Sequence, residues 1–187
     1  MRGIAFVVSL SVIVSVGIMS PSLASERRCR GTIGAVAVES LRVPRGATCT
    51  LVGTRVRGNI DVSPTATLQA SGVRVRGNVQ AERATLIGIE GSSTIGGNVQ
   101  LVRGTAAQVA DSAIVGNLVF DENTGQVRAL RNTIGGNLHA VENTGGVEIT
   151  ANLIGNNLQC RDNYPPPTGG GNQVQGEKDG QCAAVAA

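Results

Sequence analysis

Hydrophobic and polar positions along this chain follow a block that returns every 19 or 20 residues. The block consists of an aliphatic residue, a short polar or glycine segment, an asparagine and a second aliphatic residue. Six copies occur between residues 56 and 158, among them Val56-Arg57-Gly58-Asn59-Ile60 and Ile134-Gly135-Gly136-Asn137-Leu138. A fixed period of this length is typical of a solenoid, in which each repeat packs only on its neighbours.

Three columns of apolar residues are expected to point inward, and they are defined by their distance from the repeated asparagine. The column three residues before it contains Val56, Val75, Ile95, Ile114, Ile134, Ile154 and Val174, and the column one residue after it contains Ile60, Val79, Val99, Leu118, Leu138 and Leu158. The column three residues after it contains Val62, Ala81, Leu101, Phe120, Ala140 and Cys160. The last two columns alternate with polar positions, which is the period-two pattern of half-buried strands.

The remainder of each coil is a less regular return segment. It supplies further inward candidates, namely Leu68, Ala70, Leu86, Ile87, Val109, Val127, Ala129, Val147 and Ile149. The pattern predicts an all-β fold, a single-stranded parallel β-helix of about seven to eight coils and roughly 35 to 40 Å in length at sheet spacing. The preference of parallel crossovers for one hand predicts that the β-helix is right-handed.

The first 24 residues have the features of a signal peptide. Arg2 precedes an apolar stretch from Ile4 to Met19, and Ser22-Leu23-Ala24 resembles a cleavage site. A membrane anchor is the alternative, although the apolar stretch is short for a span of roughly 20 residues. We therefore expect residues 1–24 to be a signal peptide and residues 25–187 to be a secreted, extracellular β-solenoid domain with no stable membrane span after cleavage.

Four cysteines in an exported protein indicate two disulfide bonds. Cys29 and Cys49 lie 20 positions apart and Cys160 and Cys182 lie 22 apart, each about one period. Residues one period apart should stack on adjacent coils, roughly 4.8 Å apart, within reach of a disulfide. The expected bonds, Cys29–Cys49 and Cys160–Cys182, would clamp the two ends. A four-cysteine zinc site is disfavoured by the absence of CxxC spacing.

The repeated asparagines have two interpretations. They can form a ladder of stacked amides that satisfies backbone groups at a corner, or they can form a polar stripe that binds a ligand. The ladder is the favoured interpretation, with the preceding glycine supplying left-handed or bridging backbone angles. The residues concerned are Asn59, Asn78, Asn98, Asn117, Asn137 and Asn157.

Charge is distributed unevenly along the chain. Residues 25–110 contain eleven arginines and five acidic residues, a net charge of +6, and residues 111–187 carry a net charge of −4. Arg55 and Arg57 lie one coil from Arg74 and Arg76. These four side chains form either a solvated face or an anion-binding patch for an acidic polysaccharide, a cell-wall polymer or a lipid surface. Nucleic acid is a poorer match because the chain has almost no aromatic residues to stack on bases.

A second charged series consists of Glu122, Glu142 and Asp162, each followed by an asparagine. Stacked carboxylates beside amides are oxygen ligands of the kind that Ca²⁺ prefers, so calcium is a candidate cofactor. The alternative is a set of ordinary surface acids, because the glycine-aspartate nonapeptide of calcium-binding β-rolls is missing.

Catalytic residues are not evident. The single histidine, His139, occupies an outward position, and no serine or thiol has a base at a matching coil position. At the level of coil architecture the chain resembles the parallel β-helix of pectate lyases, and its short aliphatic and glycine coils resemble bactofilins over residues 40–160. It also resembles secreted bacterial repeat proteins that end in a segment such as Cys160-Arg161-Asp162-Asn163 followed by prolines, glycines and Cys182.

The sequence thus predicts a secreted, non-enzymatic β-solenoid that acts as a structural or ligand-binding element at the cell exterior. The alternative is a carbohydrate-active β-helix enzyme of the polysaccharide lyase or hydrolase type, although the constant period leaves no long loop to wall a cleft. Head-to-tail assembly through the basic and acidic halves is a third possibility.

Overall fold

The computed structural model describes residues 26–185 of the chain. The fold is all-β, and the chain winds into a parallel β-solenoid of about eight turns, as the repeat predicts. Each turn contributes one strand to each of three sheets, and every strand pairs in parallel with the equivalent strands of the neighbouring turns. A single short 3₁₀ helix, Gln181–Val185, follows the last strand of the described part.

The three sheets are called first, second and third in the order in which the chain visits them. The first sheet has nine strands: β1 Glu26–Arg28, β4 Ser40–Val43, β7 Ile60–Val62, β10 Val79–Glu82, β13 Val99–Val102, β16 Leu118–Asp121, β19 Leu138–Val141, β22 Leu158–Arg161 and β25 Lys178–Gly180. The second sheet has eight strands: β2 Gly31–Ile33, β5 Thr48–Val52, β8 Thr67–Ser71, β11 Leu86–Glu90, β14 Ala106–Ala110, β17 Val127–Leu130, β20 Val147–Thr150 and β23 Thr168–Gly170. The third sheet has eight shorter strands: β3 Ala37–Val38, β6 Arg55–Val56, β9 Arg74–Val75, β12 Thr94–Ile95, β15 Ala113–Ile114, β18 Thr133–Ile134, β21 Leu153–Ile154 and β24 Gln173–Val174.

The hydrophobic core is a narrow column between the three sheets. The predicted inward columns are buried throughout, except for Val174 in the last turn, which is only partly buried. The return segment is more regular than expected, because it forms the whole second sheet. Leu86 was expected to face inward together with Ile87; the structure places Leu86 outward, since adjacent residues of a strand point to opposite faces.

Successive sheets meet at three corners. The first corner joins the first and second sheets, the second corner joins the second and third, and the third corner contains the repeated asparagine. Left-handed backbone occurs at the first and second corners, for example at Arg83 (φ 53°) and Arg131 (φ 53°). The glycine before the repeated asparagine is not among the residues with positive φ, so of the two expected alternatives, left-handed or bridging backbone angles, the left-handed one is wrong at that glycine.

The glycines of the third corner are favoured by close packing instead, and Asn156 takes the equivalent position in one coil. A Cβ on Gly97 would collide with the side-chain oxygen of Asn78 in the preceding coil. The repeated asparagine of the preceding coil would block a Cβ in the same way at Gly77, Gly116 and Gly136. That oxygen accepts a hydrogen bond from the backbone N–H of Asn98 at 2.8 Å. The same backbone bond recurs along the series from Asn59 to Asn157, at 2.8 to 3.0 Å, and forms an outer ladder of amides.

Two further amide ladders lie inside the solenoid, at the first and second corners. The side-chain oxygen of Asn143 accepts from both the backbone N–H (3.1 Å) and the side-chain amide (2.9 Å) of Asn123, and Asn163 does the same for Asn143. The second corner repeats this arrangement with Asn132, Asn152 and Asn172. All six side chains are buried, and each amide also donates to a backbone carbonyl, so the polar groups inside the core are paired.

The two predicted disulfide bonds are present, but their geometry differs from simple stacking. Cys29 follows a strand of the first sheet and bonds Cys49 of the second sheet, with Cα atoms 5.5 Å apart, whereas Gly31 occupies the register position beside Cys49. Cys160 of the first sheet bonds Cys182 in the 3₁₀ helix, at 5.0 Å. Gly180, and not Cys182, occupies the register position beside Cys160. Two disulfides indicate an oxidising environment.

The 3₁₀ helix closes the C-terminal end of the solenoid. Its Cys182 and Val185 side chains are buried against the last turns. The Gln181 side-chain oxygen accepts from Asn163, and the Val185 carbonyl accepts from Asn172 at 2.8 Å. The helix therefore caps both buried amide ladders and covers the C-terminal end of the hydrophobic core.

No helix within residues 26–185 combines the length and apolar character needed to cross a membrane. The expected signal peptide, residues 1–24, lies outside the described residues. The right-handed winding stays a prediction.

Candidate functional site

The four arginines of the expected anion-binding patch lie together on the outer face of the third sheet. Arg55 and Arg74 are direct partners in the parallel register of neighbouring strands, and both side chains are exposed. Arg57 and Arg76 follow two residues later on the same face, in successive coils. Because adjacent strands are about 4.8 Å apart, the structure confirms the close placement of these side chains on two neighbouring coils.

The four side chains differ in their ion pairing. Arg57 donates to the carboxylate of Glu39 at 2.6 Å, in the coil before it. In the described part of the chain, no carboxylate lies within 4.0 Å of the guanidinium groups of Arg55, Arg74 or Arg76. Three unpaired cations on one face of two coils repel each other, so an anion bound there would relieve that repulsion.

The rest of the third sheet continues as a flat and nearly uncharged surface. Residues in register with Arg55 and Arg74 further along the rod are Thr94, Ala113, Thr133, Leu153 and Gln173. The second outward row contains Gly96, Val115, Gly135 and Gly155 in successive coils, and Val115 is 65% exposed. From Thr94 to Gly135 the outward residues of this sheet are small or of medium size, so they leave room for an extended ligand that continues from the arginines along the rod axis.

The basic charge is more localised than the division into two halves predicts. Residues 26–77 contain nine arginines and three acidic residues, a net charge of +6, whereas residues 78–110 contain two of each and are neutral. Within the described part of the chain, seven arginines of this N-terminal region have no ion pair: Arg27, Arg28, Arg30, Arg45, Arg55, Arg74 and Arg76. The positive charge therefore belongs to the first three coils. Sequence reasoning could have found this by counting charge coil by coil.

A concavity near these coils lies on a different face. A depression of about 500 Å³ on the first sheet is lined by Arg42, Asp61, Gln80, Glu82, Gln100 and Arg103. Arg103 donates a hydrogen bond of 2.9 Å to the carboxylate of Glu82. The side-chain amide of Gln80 donates to the side-chain oxygen of Gln100 at 3.5 Å. The depression does not include any of the four arginines of the predicted patch.

The acidic series of the calcium hypothesis is only partly brought together. Glu122, Glu142 and Asp162 are exposed at equivalent positions of the first corner. The asparagines that follow them, however, point into the core, and their amides are engaged in the buried ladder. Those amides are therefore not available as ligands beside the acids. Among residues 26–185, no cluster of three or more His, Cys, Asp or Glu side chains has the arrangement of a metal site.

Two other titratable sites have shifted pKa values. His139 lies on the outer face of the first sheet, and its partial burial lowers its pKa. At the second corner, Arg131 donates two hydrogen bonds of 2.7 Å to Asp111, and this pairing holds the pKa of Asp111 below its usual value and raises the pKa of Arg131. The Asp111–Arg131 pair neutralises its own charge, so it adds little to the field of the rod.

Comparisons with models of known protein families, with curated proteins and with solved structures found no match to this chain. The parallel β-solenoid architecture is thus established by the coil geometry alone, and functional proposals depend on the chain's own surface.

Proposed function

We propose that this chain is an exported, non-catalytic β-solenoid that binds an acidic polymer at the cell exterior. The binding face consists of Arg55, Arg74 and Arg76 on the third sheet, with Arg57 at its edge. The observation that carries the proposal is the presence of three exposed, unpaired guanidinium groups on two adjacent coils. The resemblance to pectate lyases and bactofilins concerns coil architecture, and the proposal takes no activity from it.

The ligand class follows from the chemistry of the face. Guanidinium groups bind carboxylate and sulfate or phosphate groups through paired N–H donors. The neighbouring surface is flat and carries Thr94, Gly96 and Ala113, which suits a chain lying along the rod better than a compact ligand held in a pocket. A uronate-containing or sulfated polysaccharide has charges of this type at regular intervals.

Binding to such a polymer should be electrostatic and strongly dependent on salt. Each contact between a cation and the polymer releases condensed counterions, so the slope of log affinity against log salt reports the number of contacts. The double variant Arg74→Gln/Arg76→Gln should weaken binding to polygalacturonate and to heparin, and should reduce the slope by about one for each lost contact. Affinity measured by fluorescence titration over a salt series gives both quantities, and uncharged dextran is the control polymer.

Two further variants make the test specific to this face. The double variant Arg128→Gln/Arg161→Gln removes the same number of positive charges, one from the second sheet and one from the first. It should leave binding nearly unchanged. Glu39→Gln releases Arg57 from its ion pair and should strengthen binding, because a fourth guanidinium becomes available. The proposal is wrong if neither polymer binds above the dextran background at low salt, or if the two double variants lose affinity equally.

A further inference from the structure

The first corner carries a ridge of side chains whose charge reverses at its midpoint. Each residue of this ridge lies two positions after an inward residue of the first sheet, and the register of that sheet places all of them in successive coils. In coil order the ridge consists of Arg45, Pro64, Arg83, Arg103, Glu122, Glu142 and Asp162. All its charged members are exposed.

From this ridge we infer that two copies of the chain associate side by side and antiparallel, along their first corners. A two-fold interface requires a surface that complements itself. A two-fold axis between Arg103 and Glu122 places each of these residues opposite the other in the second copy, and it places Arg83 opposite Glu142. The spacing matches at every step, because both copies have the same distance between coils.

The charge of the whole rod supports the same orientation. Residues 26–77 carry a net charge of +6 and residues 111–185 carry a net charge of −4. In an antiparallel pair the basic end of each copy lies beside the acidic end of the other, whereas a parallel pair would place like charges together. Head-to-tail stacking is less suited to this chain, because the 3₁₀ helix Gln181–Val185 occupies the C-terminal end.

Among the described residues, ion pairing within one copy involves the basic half of the ridge through one shared carboxylate and does not involve the acidic half. Glu82 interacts with both Arg83 (3.5 Å) and Arg103 (2.9 Å), so a single carboxylate serves two guanidinium groups. In the described part of the chain, no basic group lies within 4.0 Å of the carboxylates of Glu122, Glu142 or Asp162. Contacts between exposed charges are weak and screened by salt, so the dimer should be favoured at low salt and dissociate as salt rises.

The association is compatible with the proposed binding face and does not depend on it. In a solenoid of three sheets the first corner lies opposite the third sheet, so the arginines of the third sheet remain exposed on both copies. A dimer would present two such faces on opposite sides and could bridge polymer chains.

A charge-exchange experiment tests the inference. Sedimentation velocity of the purified chain at low salt should show a dimer. The acidic-ridge variant, Arg83→Glu/Arg103→Glu, and the basic-ridge variant, Glu122→Arg/Glu142→Arg, should each be monomeric alone. An equimolar mixture of the two should form a heterodimer, because each variant restores the complement of the other. The ridge accommodates both residue types at the same backbone angles, as Arg83 and Glu142 have φ of 53° and 52°.

The matched control is Arg55→Glu/Arg74→Glu, which makes the same change of charge on the third sheet and should weaken dimerisation far less than the ridge variants, because these arginines lie away from the interface. Circular dichroism of each variant verifies that the fold is retained. A monomer at low salt in the unmodified chain would overturn the inference, and so would a mixture of the two ridge variants that remains monomeric. The inference would also be overturned if the acidic-ridge variant still formed open-ended oligomers, because that result would favour head-to-tail stacking. Failure of polymer binding alone would leave this result unaffected.

Discussion

Individual asparagines contribute differently to this fold according to their corner. Asn98, in the outer ladder, is half-exposed, so water can replace part of its bonding. Asn143 is fully buried, and its amide donates to Phe120, Val141 and Asn163 while its oxygen accepts from Asn123. An unsatisfied polar group inside the core costs more than one that reaches solvent.

We predict the order Asn143→Leu, Asn98→Leu, Gln100→Leu for the loss of unfolding free energy, from largest to smallest. Asn143→Leu leaves several buried groups unpaired, at about 1 to 3 kcal/mol each. Asn98→Leu removes one ladder step, and Gln100→Leu changes a half-exposed side chain, for which about 0.5 kcal/mol is expected. Urea unfolding measures all three. Equal stability of the first two variants would contradict the role given to burial.

Adding a methyl group to a single glycine should reveal how closely successive coils approach. Gly97→Ala places a Cβ against the Asn78 side-chain oxygen and should cost about 1 to 3 kcal/mol, as expected for overpacking. Gly34→Ala is the control, because its Cβ would have no neighbour within 4 Å. Thermal unfolding should show a lower Tm for the first variant only; a Tm unchanged by Gly97→Ala would contradict the packing explanation.

Among the elements, the short 3₁₀ helix closes the C-terminal end of the solenoid. It buries Cys182 and Val185 and ends two ladders of buried amides. The strands of the last turn are mostly exposed, so their order depends on this helix.

Removing the C-terminal disulfide should therefore loosen one end of the solenoid before the rest. Cys160→Ala/Cys182→Ala should lower stability by about 3 kcal/mol, the value expected for a loop of about 20 residues. Hydrogen exchange should increase first in β23, β24 and β25, since solenoid coils depend mainly on their neighbours. Cys29→Ala/Cys49→Ala is the matched variant, and its exchange should begin at β1 to β3. Uniform acceleration along the chain in both variants would argue against local fraying.

At the scale of the whole molecule, the repeat predicts most of the architecture, because each inward position is set by a period shared by all coils. The columns of Val56 and Ile60 are identified in this way, and so is the pairing of the four cysteines. The sequence misplaces Leu86 because two adjacent aliphatic residues, Leu86 and Ile87, do not show which of them faces inward. The inward direction of Asn123 and Asn132 could not be predicted from polarity, which suggests exposure for any single asparagine. Only their recurrence at a spacing of 20 indicates a ladder.

The charged residues show both what the sequence can predict and where its predictions end. The spacing correctly places Arg55 beside Arg74, since stacking follows from the period. The pairing of Arg57 with Glu39 could not be foreseen, because it depends on which rotamers bring the two side chains together across coils. The self-complementary ridge, by contrast, could have been predicted, because each of its residues from Pro64 to Asp162 lies five positions after a repeated asparagine.

The repeated hydrogen-bond pattern of the coils has a consequence for how such a rod can change in length. The coils from Asn59 to Asn157 share the outer ladder and the parallel register of the three sheets, so inserting or deleting one unit of about 20 residues there rejoins that ladder and the strands in register. Each unit changes the rod by about 4.8 Å. Tandem duplication within the gene can thus adjust the protein as a molecular ruler in fixed increments, while the specialised ends remain untouched.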